Sequence, residues 1–521
     1  MRRIHFLVLG CFAALAIAQS TQTCNTSAVR VRRPWSNHTT AEKKLFVGAV
    51  GDAMAAGFHH RFVEIHTEPS SENEAHGCMF LYWHRKFLLA YENMLRSLKP
   101  DYACLTLPYW DYATLSSSFV TGSCTNMYQC AKDLIDAFGG DVDSSSRRSW
   151  DVINGGGVPG QGCVAKPPLN NFCQSTTAFQ RRQCMGCVPR SPLSGARVPS
   201  EANIVQVFSQ ILGGSSSGNG KSLYEATQGI QIGCHNTIHS ALSGAMASFQ
   251  SPADPLFYLH HGQVDLMHRI HFKCNVADTR VGQVPVLSDT EKQDADDQRI
   301  WSWCQRSRDG SWIYPTDPIR MIVGQRGAQQ WDVHDPKNPL YPFFKDLPLS
   351  YYQYADGDDL GPFSYRYLYT GMLADMLTKC KQFVAPRRAT VMMQETDAAA
   401  SRGYAINPTY KDRCGDRPRS SCEVTESSFI DYISNAAANY GWSQDELIEQ
   451  MDALVCVHHH ECLGGCFDYS YEFKTIFRPS GPPRCVTVMG HLTAGRLFIK
   501  LPGWRSVMAR FFPCNTPSTA L

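Results

Sequence analysis

Two separate groups of three histidines constrain this chain more than any other feature of its sequence. The six residues are His66, His76 and His84, followed by His235, His239 and His261. One buried histidine is usually a satisfied core residue, but six together would need polar partners that a packed core does not offer. Three imidazoles per ion therefore predict two transition-metal sites with open coordination positions. Imidazole alone does not distinguish copper from zinc, iron or nickel.

The chain begins with a segment typical of export. Arg2 and Arg3 precede an apolar stretch that ends with Ala16-Ile17-Ala18, which predicts a cleavable signal peptide over residues 1–18 and a secreted, extracellular protein. We find no other apolar run long enough to cross a bilayer, so no membrane partner is expected. The formal net charge of +2 gives no electrostatic basis for binding nucleic acid.

Cysteine usage agrees with an oxidising compartment. Removing the signal peptide takes one of the 21 cysteines and leaves an even number, most of which we expect in disulfides. Residues 113–200 lack clear periodicity and hold six cysteines, so we interpret them as a disulfide-stapled insertion. Cys184 and Cys187 could instead form half of a zinc site, but the sequence offers no matching second half. Sequons at Asn25 and Asn37 predict a glycoprotein.

The segments around the histidines resemble the paired copper signatures of the tyrosinase family of type-3 dicopper proteins. The first signature is carried by WHRKFLLAYE from residue 83, and the second by HNTIH from residue 235 and DPLFYLHHGQVD from residue 254. The resemblance covers roughly residues 29–380. It implies a mainly α fold in which a four-helix bundle holds a dicopper centre, with long disulfide-stapled loops around it.

The resemblance implies that each group of three histidines holds one copper ion. In the adjacent pair, His261 is the implied ligand and His260 is left as a neighbour outside the ligand set. His66 is the implied ligand on the first helix because FVEIH matches the family there. Glu74 stands where many relatives have a cysteine cross-linked to the copper-binding histidine two residues later, so that cross-link is not expected.

Further roles are expected near the second copper, and those of Asn236 and Glu225 follow from the same resemblance. Asn236 and the upstream Glu225 are the candidates to polarise a water that deprotonates a phenol. Asp265, one helical turn after His261, is the candidate to orient that imidazole. Phe249 is expected at the substrate entrance.

These implications predict a secreted tyrosinase that uses two copper ions and O2. It would hydroxylate monophenols ortho to the hydroxyl and oxidise o-diphenols to o-quinones. The expected substrates are tyrosine, L-DOPA and catechols, or tyrosine side chains of proteins, in melanin formation or protein cross-linking. A catechol oxidase without monophenolase activity and a dicopper oxygen carrier remain open alternatives.

The chain divides into a predicted dicopper domain over residues 19–385 and a smaller cysteine-rich domain over residues 386–521. By resemblance, the second domain is expected to shield the active site. Its histidine run, residues 458–460, is expected as a solvent-exposed polar stretch, with copper loading as the alternative. At the ends of the first domain, arginines among residues 30–33 are expected to pair with Tyr365 and Tyr367.

Overall fold

The computed structural model describes residues 28–143, 150–213, 221–276, 286–324, 329–380, 426–512 and 514. The predicted signal peptide, the sequon at Asn25 and the linker-like segment after residue 385 lie outside these ranges. The described chain is mainly helical with a few short strands, which confirms the predicted fold class.

Fifteen α-helices of the described ranges precede the predicted second domain, residues 386–521, which we call the tail. Most of them are short. In chain order they are α1 (Thr40–Ala55), α2 (His59–Thr67), α3 (Pro69–Ala75), α4 (Phe80–Leu98), α5 (Tyr112–Val120), α6 (Met127–Cys130), α7 (Lys132–Ala137), α8 (Thr176–Gln180), α9 (Ile204–Ile211), α10 (Leu223–Ile230), α11 (Asn236–Leu242), α12 (Leu256–Asn275), α13 (Asp289–Lys292), α14 (Tyr341–Phe344) and α15 (Gly371–Lys379). The tail adds α16 (Glu426–Tyr440), α17 (Gln444–Cys462), α18 (Tyr471–Phe477), α19 (Arg484–Thr493) and α20 (Trp504–Phe511).

The strands form two-stranded sheets that tie loops together. They are β1 (Arg30–Arg32), β2 (Trp150–Ile153), β3 (Gly156–Pro159), β4 (Gly162–Val164), β5 (Val188–Arg190), β6 (Cys304–Gln305), β7 (Trp312–Ile313), β8 (Ile322–Val323), β9 (Trp331–Asp332) and β10 (Tyr365–Tyr367). The pairs are β1–β10, β2–β3, β4–β5, β6–β7 and β8–β9; the first is parallel and the others are antiparallel.

Helices α4 and α12 form the centre of the molecule, packed against each other. Almost every side chain of α4 is buried, including the polar ones, which is the mark of a helix enclosed by others. Thr39 and Glu42 form a capping box at the start of α1, as the Thr-x-x-Glu pattern at these positions predicts. None of the described helices is both long enough and apolar enough to span a bilayer.

The two ends of the core meet as predicted. Strand β1 pairs with β10, which places Arg32 opposite Tyr367. The buried Arg32 guanidinium lies 4.0 Å from the ring centroid of Tyr365 and donates to the Tyr367 hydroxyl and the Glu92 carboxylate. Because these groups come from distant parts of the sequence, the contact closes the domain around α4.

The insertion is cross-linked within itself, as predicted. Its six cysteines form the disulfides Cys124–Cys130, Cys163–Cys187 and Cys173–Cys184. The two cysteines considered for a zinc site therefore belong to different disulfides and are not free to bind metal. Contrary to the expectation of irregular structure, the insertion also includes helices α5 to α8 and strands β2 to β5, most of them too short to give a clear period in the sequence.

The described part of the tail packs directly on the core. Helix α17 lies against α9, and the Asp452 carboxylate of α17 accepts hydrogen bonds from Gln206 (2.8 Å) and Ser209 (3.1 Å) of α9. Arg484 of α19 completes this buried contact through an ion pair with Asp452 at 2.8 Å. Disulfides Cys466–Cys485 and Cys462–Cys514 hold the tail helices to one another.

Candidate metal centre

The six histidines come from five segments of the core that converge beside α4. His66 is in the last turn of α2, His84 is in α4, and His261 is in α12. His235 ends a single π-helical turn, Gln231–His235, and His239 follows in α11. His76 alone lies outside a helix, in the short turn between α3 and α4.

The rings of the first group lie close to one another. The ring of His66 lies 5.0 Å from that of His76 and 5.5 Å from that of His84, measured between centroids. The Nε2 atoms of His66 and His84 are 3.3 Å apart. Two nitrogens bound tetrahedrally to one ion at about 2.0 Å would lie roughly 3.3 Å apart, so the spacing suits a shared metal ion.

The second group has the same arrangement. The Nε2 atoms of His239 and His261 are 3.4 Å apart, and the rings of His235 and His239 have centroids 4.6 Å apart. His260 also brings a ring nitrogen within reach of this group, where the nearest ring nitrogens of all four histidines lie within 4.8 Å of one another. Its Nδ1 hydrogen-bonds with the Tyr112 hydroxyl, which ties the ring to α5.

In three of the six imidazoles, a hydrogen bond to a backbone carbonyl fixes which nitrogen is free. Nδ1–H donates to a backbone carbonyl in His66 (Phe249, 2.7 Å), His84 (Phe80, 2.9 Å) and His239 (Met246, 2.6 Å). Because a carbonyl can only accept, the proton is on Nδ1 and the lone pair is on Nε2. The free lone pairs are therefore on the atoms that converge.

Burial keeps these imidazoles neutral. It lowers the pKa of His66 and of His235 to about 4, and it lowers the pKa of the other four histidines well below the ordinary value. Neighbouring imidazoles reinforce the effect, because a positive charge on one disfavours a charge on the next. Neutral imidazole is the form that binds copper, so the donor set fits two copper ions.

The sequence matches the common central domain of tyrosinase over residues 56–272, a span that contains all six histidines. A tyrosinase of Streptomyces galbus is 30% identical over 241 residues, which cover 44% of this chain and 79% of that protein. This chain belongs to the tyrosinase family.

Another similar relative, a tyrosinase of Streptomyces lincolnensis, is 29% identical over 241 residues, which cover 45% of this chain and 80% of the relative. A solved polyphenol oxidase mutant from Thermothelomyces thermophila is 17% identical, with a TM-score of 0.38, over 66% of this chain and 90% of its own. Tyrosinase-family membership implies a copper oxidoreductase with a dinuclear copper site, and the fit of the six histidines agrees with it.

Asn236 and Glu225, the two residues predicted to assist deprotonation of a phenol in this tyrosinase-family protein, have different surroundings. Asn236 is buried, and its Oδ1 accepts from His235 Nδ1 at 2.8 Å. Glu225 is the third residue of α10, where one carboxylate oxygen caps the helix by accepting from the backbone N–H (2.8 Å) and hydroxyl (2.9 Å) of Ser222. The Glu225 carboxylate therefore has a clear helix-capping function in addition to any role toward substrate.

Asp265 is buried but contacts groups other than His261. Its carboxylate pairs with Arg85 (2.7 Å) and Arg32 (3.4 Å) and accepts from the hydroxyls of Tyr365 and Tyr367. In the described chain, Nδ1 of His261 has no hydrogen-bond partner. The structure thus corrects the expectation that Asp265 orients that imidazole, because its oxygens are occupied by the contacts that close the core.

Phe249 lies beside the first histidine group, and a second aromatic ring covers it. The Phe249 ring is 5.0 Å from that of His76 and 4.8 Å from that of Phe477, the last residue of α18. Phe477 is also 5.5 Å from the ring of His76 and 6.4 Å from that of His239. Sequence reasoning did not identify Phe477. The four-residue spacing of Phe473 and Phe477 is typical of one apolar helix face, but it does not indicate the surface that this face covers.

The histidine run in the tail differs from the prediction. His458 and His459 are 5% and 3% exposed, so only His460 is on the surface. They lie inside α17, and their rings meet Phe512 (5.3 Å) and Phe119 (6.5 Å), respectively. The expectation of an exposed polar stretch was wrong for these two residues. Adjacent residues of a helix point in different directions, and α17 is covered on both of the sides to which His458 and His459 point.

Proposed function

We propose that the protein is a secreted tyrosinase that ortho-hydroxylates monophenols and oxidises o-diphenols to o-quinones with O2. Two copper ions, one on each group of three histidines, would supply the redox chemistry with O2. The expected substrates are tyrosine, L-DOPA, catechols or tyrosine side chains of proteins. The signal-like N-terminus and an exposed Asn37 sequon support export and glycosylation.

Phenol hydroxylation distinguishes this proposal from a catechol oxidase, and Asn236 is the observation that supports it. Its side chain touches His235 and lies at the second histidine group, where an amide oxygen or nitrogen can hold a water for proton removal. Glu225 would serve as the partner acid. A phenol must lose its proton to bind a metal, whereas a catechol offers two hydroxyls and depends less on this assistance.

Replacing Asn236 with Ala tests the assignment. Loss of a positioned proton acceptor is expected to lower kcat/KM for tyrosine by about 100-fold or more and leave that for L-DOPA within about threefold. Copper content must be measured alongside, because Asn236 also contacts His235. Thr237→Val, a buried neighbour in α11, is the matched control and should change neither value. Equal losses for both substrates would contradict the role given to Asn236.

We also propose that the tail holds the enzyme in a latent form. Phe477 covers the rings of His76 and Phe249, where a substrate ring would have to enter. Two contacts anchor the segment that carries it: the Tyr469 hydroxyl donates to the Ile232 carbonyl, and the Ser470 N–H donates to the Ser240 hydroxyl at 2.8 Å. Both anchors lie next to the π-turn and helix that carry His235 and His239, so release of the segment would open the site.

A further inference from the structure

The hairpin β6–β7 contacts the His76 turn on both sides of that histidine. Two residues before His76, the Glu74 carboxylate pairs with Arg306 at 2.7 Å. Two residues after it, Cys78 forms a disulfide with Cys304. Cys304 is the first residue of β6, and Arg306 is the residue after the end of β6. One short hairpin therefore holds the chain on both sides of His76.

His76 is the histidine that most needs such support. Its Nδ1 makes no hydrogen bond of good geometry in the described chain, unlike the Nδ1 of His66, His84 or His239. His261 shares this lack, but it lies in the middle of the 20-residue helix α12, whose backbone fixes it. His76 lies in a turn, so its position depends on how that turn is held.

The buried Glu74 carboxylate has further partners besides Arg306. Its side chain is 1% exposed and also accepts from the Tyr351 hydroxyl (2.7 Å) and the Arg320 N–H (3.2 Å). Arg306 in turn pairs with Asp317 at 3.1 Å and donates to the Trp312 carbonyl at 3.0 Å. A buried carboxylate with three partners has one stable position, which fixes the end of α3.

We propose that Glu74 and the Cys78–Cys304 disulfide position His76 for metal binding, in place of a covalent bond to the imidazole itself. The two anchors leave the turn little freedom, so His76 is presented to the ion without a hydrogen bond of good geometry at Nδ1. Glu74 is a positioning residue in this account, because it acts through the backbone and does not touch the metal. The proposal rests on the proposed role of His76 as a copper ligand.

The test compares two buried carboxylates that each pair with an arginine. Glu74→Gln and Asp356→Asn both remove one charge, and Asp356 is 2% exposed and paired with Arg269, away from the His76 turn. Copper content of the full-length protein is titrated against a chelator, and Tm is measured without metal. Both variants are expected to lower Tm, but only Glu74→Gln should weaken retention of one copper ion, by about 10- to 100-fold.

A second pair of variants keeps the proposal testable if Glu74→Gln does not fold. The double variant Cys78→Ser, Cys304→Ser should weaken retention of the same copper ion. The control double variant Cys124→Ser, Cys130→Ser, which removes a disulfide of the insertion, should leave copper retention unchanged. Unchanged copper retention in the first double variant and in Glu74→Gln would overturn the positioning role. If wild type binds two ions and oxidises L-DOPA in that case, the proposed function stands alone. If His76→Ala also retains two ions, His76 is no ligand and the positioning role fails with it.

Discussion

The ring of His84 stacks on the ring of His261, with centroids 4.2 Å apart and an interplanar angle of 8°. These residues belong to different histidine groups and come from α4 and α12, the two central helices. The contact therefore joins the two candidate copper sites through ring packing. It also supports His261, whose Nδ1 has no hydrogen-bond partner among the described residues.

Removing His84 is expected to affect both copper sites. The His84→Ala variant should lose the first ion and hold the second more weakly, because His261 loses the ring it packs against. Metal analysis during chelator titration measures both effects. His60→Ala is the control, since His60 is equally buried but bonds to Thr176 outside both groups. Normal retention of the second ion in His84→Ala would contradict the coupling.

Removing the Phe477 ring is expected to activate the enzyme. Phe477→Ala should raise the rate of L-DOPA oxidation about tenfold if the ring contributes about 1.4 kcal/mol to closure. Tyr471→Ala, on the same helix but 77% exposed, should leave the rate unchanged. Limited proteolysis that frees the tail should raise wild-type activity and leave Phe477→Ala nearly unaffected. Equal rates for wild type and Phe477→Ala would argue against latency through this residue.

Local sequence patterns predicted the parts of the structure that depend on short-range order. The Thr-x-x-Glu pattern predicts the capping box of Thr39 and Glu42, and the apolar periodicity from Phe80 up to Pro100 predicts α4, because capping and helical periodicity act within a few residues. The grouping of the histidines followed from the family motifs, although His76 lies in a turn and the other five lie in helical segments. The predicted pairing of an arginine among residues 30–33 with Tyr365 and Tyr367 is also confirmed, and Arg32 is that arginine; the prediction depended on the family resemblance.

The contacts that could not be predicted all join distant segments. Nothing near Phe477 indicates that it meets His76, 401 positions away in the sequence, and nothing near Glu74 indicates Arg306. Asp265 has helical spacing from His261, but its partners come from both ends of the core. Such contacts depend on how the elements pack, which a single sequence does not report.

The closure of the core is expected to weaken in acid. Burial favours the neutral form of Asp265, but Arg85 and Arg32 outweigh it and hold the pKa of the carboxyl below its ordinary value. Because the pKa of Asp265 is lower in the folded state, its ionised carboxylate stabilises the fold at every pH above the unfolded-state pKa of about 3.9. This stabilisation is lost as the pH falls through the folded-state pKa. Wild-type Tm should therefore fall steeply below about pH 4.

Replacing Asp265 with Asn tests this expectation. The variant removes the carboxylate that pairs with the buried Arg85 and leaves Arg32 paired with Glu92 alone. It should therefore lose about 3–5 kcal/mol of unfolding free energy at pH 7 and show a shallower fall of Tm in acid. Asp289→Asn, whose carboxylate is 69% exposed, should behave as wild type. If Tm of the Asp265 variant falls as steeply below pH 4 as that of wild type, other groups cause the loss of stability in acid.

Copper removal is expected to lower stability as well as activity. A ligand that binds only the folded state stabilises it by about 4 kcal/mol when present at 1,000 times its dissociation constant. Thermal unfolding with and without copper should show a higher Tm for the loaded protein, and zinc should restore part of the Tm but no oxidation. A copper-independent Tm would mean that the histidine groups do not bind the metal.

Oxygen uptake by the copper-loaded protein, with tyrosine and with L-DOPA, tests the central claim most directly. It should be measured on wild type and on Phe477→Ala, together with the copper content of each sample. We predict two copper ions per chain and uptake with both substrates, faster in the variant. Uptake with L-DOPA alone would make the protein a catechol oxidase. No uptake with either substrate despite two bound ions would contradict an oxidase and favour an oxygen carrier.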